Sequence, residues 1–280
     1  VAIAGNGSPR QGVGRRRGAT RAAGRILTQH VERTFERTVD EGEQRLGRDW
    51  PELLATGAVG GVDISVGVFA LLVVEQATGE PLLGALAFAI GFLALTLGSS
   101  ELFTENFLIP ISALAAGRAG PWRLARLWVF TLILNLAAGW LLMLIVVSGF
   151  PDLEDTAVSV GGHFADLGIG WESLAAAILG GLAITLMTWL QHATESIPAR
   201  LAVATAIAFV LAAAPLNHVV VVSLEMFGAL HAGAPFDYGD WLRVAAWATL
   251  GNLIGGVGFV TLLRLIQVGP DKIKEEQPGA

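Results

Sequence analysis

The chain has 280 residues, of which 53% are hydrophobic and only 15% charged, with a mean hydropathy of +0.60 and a formal net charge of -6. So little charge cannot cover a soluble domain of this length, and the apolar residues fall in long runs near the roughly 20 residues that cross a ~30 Å hydrocarbon core. With no cysteine, a disulfide framework, a thiolate metal site and a cysteine nucleophile are all excluded.

Residues 1–25 are polar and arginine-rich (Arg10, Arg15, Arg16, Arg17, Arg21, Arg25), lack the apolar stretch of a secretory signal, and are expected to be disordered. A nucleic-acid-binding arm is one reading of such a segment. A cytoplasmic flank ahead of a first membrane helix is favoured by the positive-inside rule, and no nucleic-acid partner is expected. From Ile26 to Arg48 the pattern turns helical: Leu27, Val31, Phe35 and Val39 form one narrow apolar stripe among Glu and Arg. That stripe suits a helix packed on the protein's own cytoplasmic face. Residues 1–49 thus form an arm and an amphipathic helix, 50–268 a transmembrane domain, and 269–280 a cytoplasmic tail.

Six spans follow Trp50-Pro51, at about 52–75, 82–117, 122–148, 170–192, 198–230 and 240–267. The second and fifth are too long and irregular for single helices. One is interrupted around Gly98-Ser99-Ser100-Glu101 and the other around Pro215-Leu216-Asn217-His218. Loops after spans one, three and five carry Glu75, Glu80, Asp152, Glu154, Asp155, Asp166, Asp237 and Asp240. Those after spans two and four and the tail carry Arg118, Arg123, Arg126, Arg200, Lys272 and Lys274. This alternation places both termini in the cytoplasm, with Arg243 as the exception.

The third and sixth spans repeat each other: Arg126, Asn135-Leu136 and Gly139 are matched by Arg243, Asn252-Leu253 and Gly256, each 117 positions later. Three spans separate the copies, so the two halves insert in opposite senses. Glu101 and His218, also 117 apart, are expected to correspond at the two breaks. Broken helices at matching places in inverted halves point to a site at the bilayer midplane. Ionisable groups in the bilayer need a partner or a cavity, and Asp63, Glu101, His218 and Glu225 are the candidates. Imidazole, with a reference pKa near ~6.5, can hydrogen-bond or protonate a weak-acid anion. Asp63 also reads as a packing partner for a hydroxyl or an arginine, and Glu101 as a cap for broken backbone. Asn135 and Asn252 are expected to tie the loose break segments to their neighbours. The sequence holds no Walker A, dinucleotide or zinc motif, so no catalytic residue, metal or cofactor is expected.

Gly98-Ser99-Ser100-Glu101-Leu102-Phe103-Thr104 with Asn106, the break at His218, and Gly251-Asn252-Leu253-Ile254-Gly255-Gly256 resemble motifs of the formate/nitrite transporter family, over about residues 50–268. The resemblance implies an all-α, six-helix, aquaporin-like protomer of inverted three-helix halves. It also implies a homopentamer in a prokaryotic inner membrane with one pore per protomer. Thr104 and His218 would be the central selectivity pair, beside Asn217, and Leu102 and Phe103 would form apolar constrictions. The substrates would be small monovalent anions or their acids. Two features depart from the family pattern. Asn217 stands where the family usually has a glutamate, and no asparagine stands near Ile184 in the fourth span. Asp63 and Glu225 make the path less welcoming to anions unless they are neutral or paired. A pore of the same build for protons, cations or neutral solutes is therefore the alternative. A non-conducting scaffold, or an intramembrane hydrolase using Ser99 or Ser100 with His218, stands further off.

Overall fold

The computed structural model describes the backbone of residues 10–279 and the side chains of residues 28–279. Among these residues there is no strand. The helices are α1 (Arg10–Gly47), α2 (Trp50–Thr78), α3 (Pro81–Gly98), α4 (Ile109–Ala115), α5 (Pro121–Gly149), α6 (Glu154–Leu167), α7 (Trp171–His192), α8 (Ile197–Ala213), α9 (Val219–His231), α10 (Tyr238–Leu253), α11 (Leu262–Val268) and α12 (Pro270–Glu275). A 3₁₀ turn, Phe103–Phe107, precedes α4, and a π-helical stretch, Ile254–Thr261, joins α10 to α11.

Helix boundaries follow local chemistry. Asp49 caps α2 by accepting the Glu52 amide at 3.0 Å, with Pro51 in the first turn. Gly79 ends α2 in the left-handed region at φ 69°, and Pro81 starts α3. Among the described residues, five helices are long and apolar enough to cross a membrane: α2, α3, α5, α7 and the continuous α10–α11 rod. The sixth crossing is shared by α8 and α9, which flank residues 214–218. The chain is an all-α, multi-pass membrane protein.

Its two faces are recognised by their contacts. On the terminal face, α1 meets the end of α7 through Glu41–His192 (2.8 Å), and α12 meets α1 through Lys272–Glu36 (2.6 Å). On the opposite face, Trp140 Nε1 donates to the Tyr238 hydroxyl at 2.9 Å.

Four features differ from the expectations. Disorder over residues 1–25 does not hold for residues 10–25, which continue α1, a segment rich in the good helix formers Arg and Ala; residues 1–9 lie outside the described residues. The acidic stretch after α5 is a helix, α6, because Ala157, Gly161 and Phe164 recur at helical spacing and bury a narrow face against α9. The last span widens into a π stretch at Gly255-Gly256-Val257-Gly258, where the missing side chains weaken the α preference.

The fourth difference concerns the repeat. Asn135 on α5 donates from Nδ2 to the carbonyls of Gly57 (2.7 Å) and Glu101 (3.0 Å), and its Oδ1 accepts the Phe103 amide at 2.9 Å. Asn252 on α10 donates to Ala177 (2.7 Å) and Asn217 (3.0 Å) and accepts from Val219 at 2.9 Å. The two constellations are the same, so Glu101 corresponds to Asn217, 116 positions away, and His218 corresponds to Leu102. The expected Glu101–His218 match is one residue out of register: the asparagines repeat at 117 but the breaks at 116, because the segment from break to asparagine is 35 residues in the second half against 34 in the first. Gly61 and Gly181 complete the likeness. A Cβ on either would overlap the backbone of Asn135 or Asn252, respectively, so glycine is what lets each asparagine-bearing helix approach.

Candidate functional site

The second break is built around His218. Its backbone is extended (φ -90°, ψ 118°), and its side chain caps α9: Nδ1 accepts the Val221 amide at 3.4 Å. The other ring nitrogen, Nε2, lies 2.6 Å from Thr104 Oγ1, which the 3₁₀ turn of the first break brings across the molecule. With Nδ1 accepting, the proton of a neutral ring sits on Nε2 and is donated to Thr104. The threonine hydroxyl proton is then left to donate to something else. Both residues are fully buried.

Two cavities flank the region of this pair. One of about 450 Å³ opens near the terminal face, lined by both signs of charge: Arg37, Arg45 and Arg48 alternate with Glu41, Glu101 and Glu105. The other, about 380 Å³, lies near the opposite face, against α2, α6, α8 and α9, and includes Glu75, His163 and Glu225. Leu95, at the wall of the first, and Leu211, Leu216 and Val221, at the wall of the second, belong to one apolar cluster that also contains Leu102, Phe103 and Ile184. Phe103 and Phe107 meet edge to face at 4.9 Å.

The remaining candidates are spread around this axis. Glu101 is almost fully buried and paired with Arg45 of α1 (Nε, 2.9 Å) and with Arg48 just past its end; its side chain is an anchor for α1 and caps no backbone. Backbone capping at that break falls instead to Glu105, which accepts the Leu102 amide at 3.2 Å. Asn106 accepts from Arg45 at 3.1 Å. Asp63 accepts from Ser100 at 2.5 Å, beside Ser99 with its positive φ of 54°. Ser100 is thereby engaged with a carboxylate and not with the imidazole. Asn217 points its Nδ2 toward Ser173 O at 3.5 Å, and its Oδ1 is buried without a partner. Glu225 lies on α9, seven residues after His218.

Sequence reasoning assigned nothing to Glu41, Arg45, Arg48, His192 or His163. The arginines did carry a signal, being the last basic residues of an amphipathic helix directly before a membrane span. Burial opposes ionisation of Glu41, but the His192 imidazole and the Arg45 guanidinium outweigh it and hold the carboxyl well below the usual carboxylate range. Lys272 is opposed by burial too, and the carboxylates of Glu36 and Glu276 hold its ammonium above the ordinary lysine value.

A sequence model of the formate/nitrite transporter family matches residues 32–266. The chain belongs to the formate/nitrite transporter family. Within it, the chain is 26% identical over 243 residues to a protein named "Uncharacterized transporter YrhG" of Bacillus subtilis (strain 168), covering 82% of this chain and 90% of that one. It is 25% identical over 252 residues to "Inner membrane protein YfdC" of Escherichia coli (strain K12), covering 86% and 79%. Among solved structures, the fold matches an "FNT family ion channel" at a TM-score of 0.72 with 16% identity, covering 82% of this chain and 96% of that chain. It also matches a "Pentameric formate channel with formate bound" at 0.62 with 19% identity, covering 76% and 94%. This formate/nitrite transporter family member is a membrane channel or transporter and not an enzyme.

Proposed function

We propose that this family member conducts small monovalent anions or their weak acids through a pore in each protomer of a homopentamer. The observation that carries the reading is the Thr104–His218 contact, formed where the two broken helices meet and flanked by a cavity toward each face. A hydroxyl with a free proton beside an imidazole suits one small anion, which can accept from the threonine and exchange with the ring. Leu102 and Phe103 form the apolar constriction around the pair, and Asn217, with its unpaired Oδ1, faces the same region from the break. Asn135 and Asn252 hold the two breaks in place. Glu101 and Asn106, engaged by Arg45, and Asp63, engaged by Ser100, shape the terminal-face side and do not touch the solute.

The family's description and the formate channel named above support an anion of this size. That neighbour's pentameric assembly is the basis for five protomers here. The basic loops on the terminal face and the inner-membrane relative support a prokaryotic inner membrane with both termini cytoplasmic.

One observation favours a second reading, a pore for cations or neutral solutes: the opposite-face cavity carries Glu75 and Glu225 without a lysine or arginine. Reversal potentials of the purified protein in asymmetric salt separate the two, since the anion reading requires the potential to follow the anion gradient. In proteoliposomes, Thr104→Ala and His218→Ala should abolish formate or nitrite flux. Wild-type flux in both variants would remove the central pair from the pathway.

A further inference from the structure

Glu225 is only 6% exposed and lines the opposite-face cavity, yet its carboxyl has no hydrogen-bond or ion-pair partner among the described residues. The ionisable side chains that share this cavity are Glu75 of α2 and His163 of α6. α8 contributes none, and α5 and α10, which also pack on α9, present none to it. Glu75 and Glu225 interact electrostatically. Glu225 stands two turns along α9 from the histidine that caps the helix, roughly 10 Å of rise. It thus lies between the opposite face and the central pair.

A bilayer-embedded carboxylate with no countercharge is costly, and a second carboxylate nearby adds to the cost. An arriving anion meets the same problem, because no fixed cation lines this cavity. One proton, held in the cavity and passed to the solute, answers both.

We propose that Glu225 is a proton-exchanging residue of the opposite-face cavity, giving a weak-acid anion the proton with which it crosses the apolar stretch toward Thr104 and His218. In that step the O–H bond of the Glu225 carboxylic acid breaks as an O–H bond forms on the anion. The carboxylate left behind recovers a proton from hydronium in the cavity water, with Glu75 and exposed His163 along the route. No electrons change hands. The inference rests on the weak-acid reading above.

The test uses full-length protein in proteoliposomes, formate as the probe, and infrared difference spectra of the same protein between acid and alkaline pH. Wild-type formate uptake should rise as the bath on the opposite-face side is acidified. Glu225→Gln should flatten that pH profile and lower acid-driven uptake on the order of 100-fold, while Glu225→Asp restores the profile. The wild-type spectrum should contain a titrating carboxylic-acid carbonyl band that is missing in Glu225→Gln, with the oligomer size unchanged on gel filtration. A Glu225→Gln variant with the wild-type pH profile, or a wild type without the band, overturns the proposal. A wild type that moves no formate at any pH removes the weak-acid reading and the transfer step with it, whereas the band reports on the Glu225 carboxyl independently of flux.

Discussion

The two helix breaks solve the same backbone problem with different side chains. Each leaves a carbonyl and an amide unpaired inside the membrane, and each has them satisfied by one asparagine from the third helix of its own half, Asn135 or Asn252. Three residues past α3 the first break carries Glu101, held by Arg45 of α1 and by Arg48 just beyond its end, so it is fastened to the charged helix of the terminal face. The second carries Asn217 at the matching position and is fastened only within the membrane. The first break therefore couples the pore to the terminal face, while the second offers its imidazole to the interior. Duplication kept the backbone support, where an unpaired polar group costs most, and left the side chains free to diverge.

The largest expected effect tests the shared part. Asn252→Ala orphans two buried carbonyls and an amide, at about 1–3 kcal/mol each, and should destabilise the protein by about 5 kcal/mol or more, read as a fall in the detergent-unfolding midpoint. Asn135→Ala should match it, and a clear inequality between them would break the equivalence of the halves. Next comes the part that differs. Glu101→Ala leaves Arg45, only 7% exposed, without its buried partner, and should cost about 3–5 kcal/mol. It should also raise hydrogen exchange in α1, an effect Asn217→Ala should lack. Gly181→Ala forces a methyl against the Asn252 backbone and should cost about 1–3 kcal/mol, with Gly61→Ala as its counterpart.

The smallest effect concerns the Glu41–His192 contact. The Glu41 carboxyl is held below its ordinary value of 4.5, so its contribution to docking α1 is fully present above that value and is lost as the pH falls through the depressed one. Acidifying from about pH 7 to about pH 5 should not cost the part that depends on Glu41 ionisation. Glu41→Gln should weaken docking by less than about 1 kcal/mol at neutral pH, because its side chain is 40% exposed. Protease sensitivity of α1 measures both.

Much of the fold was legible because bilayer crossing imposes length and hydropathy on each helix. The breaks were legible too, since Gly98-Ser99-Ser100 and Pro215 interrupt apolar runs that a membrane helix would otherwise continue. The Asn135/Asn252 repeat could be read from spacing alone. The register of the breaks could not, because it depends on which carbonyls the asparagines reach. α6 was hidden by its charge: only one narrow face is apolar, and the helix it buries that face against is distant in sequence. The Arg45–Glu101 pair was hidden for a related reason, its partners lying 56 positions apart with the two membrane helices α2 and α3 between them.

By itself, then, the sequence determined the spans, the two interruptions and the doubling of the chain, because each is written in local composition or in a fixed offset. Only the tertiary structure decided that Thr104 meets His218, that Glu101 serves α1, and that Glu225 stands without a partner. Those outcomes depend on which side chains distant segments bring within hydrogen-bonding distance, and no local pattern encodes a distance between segments.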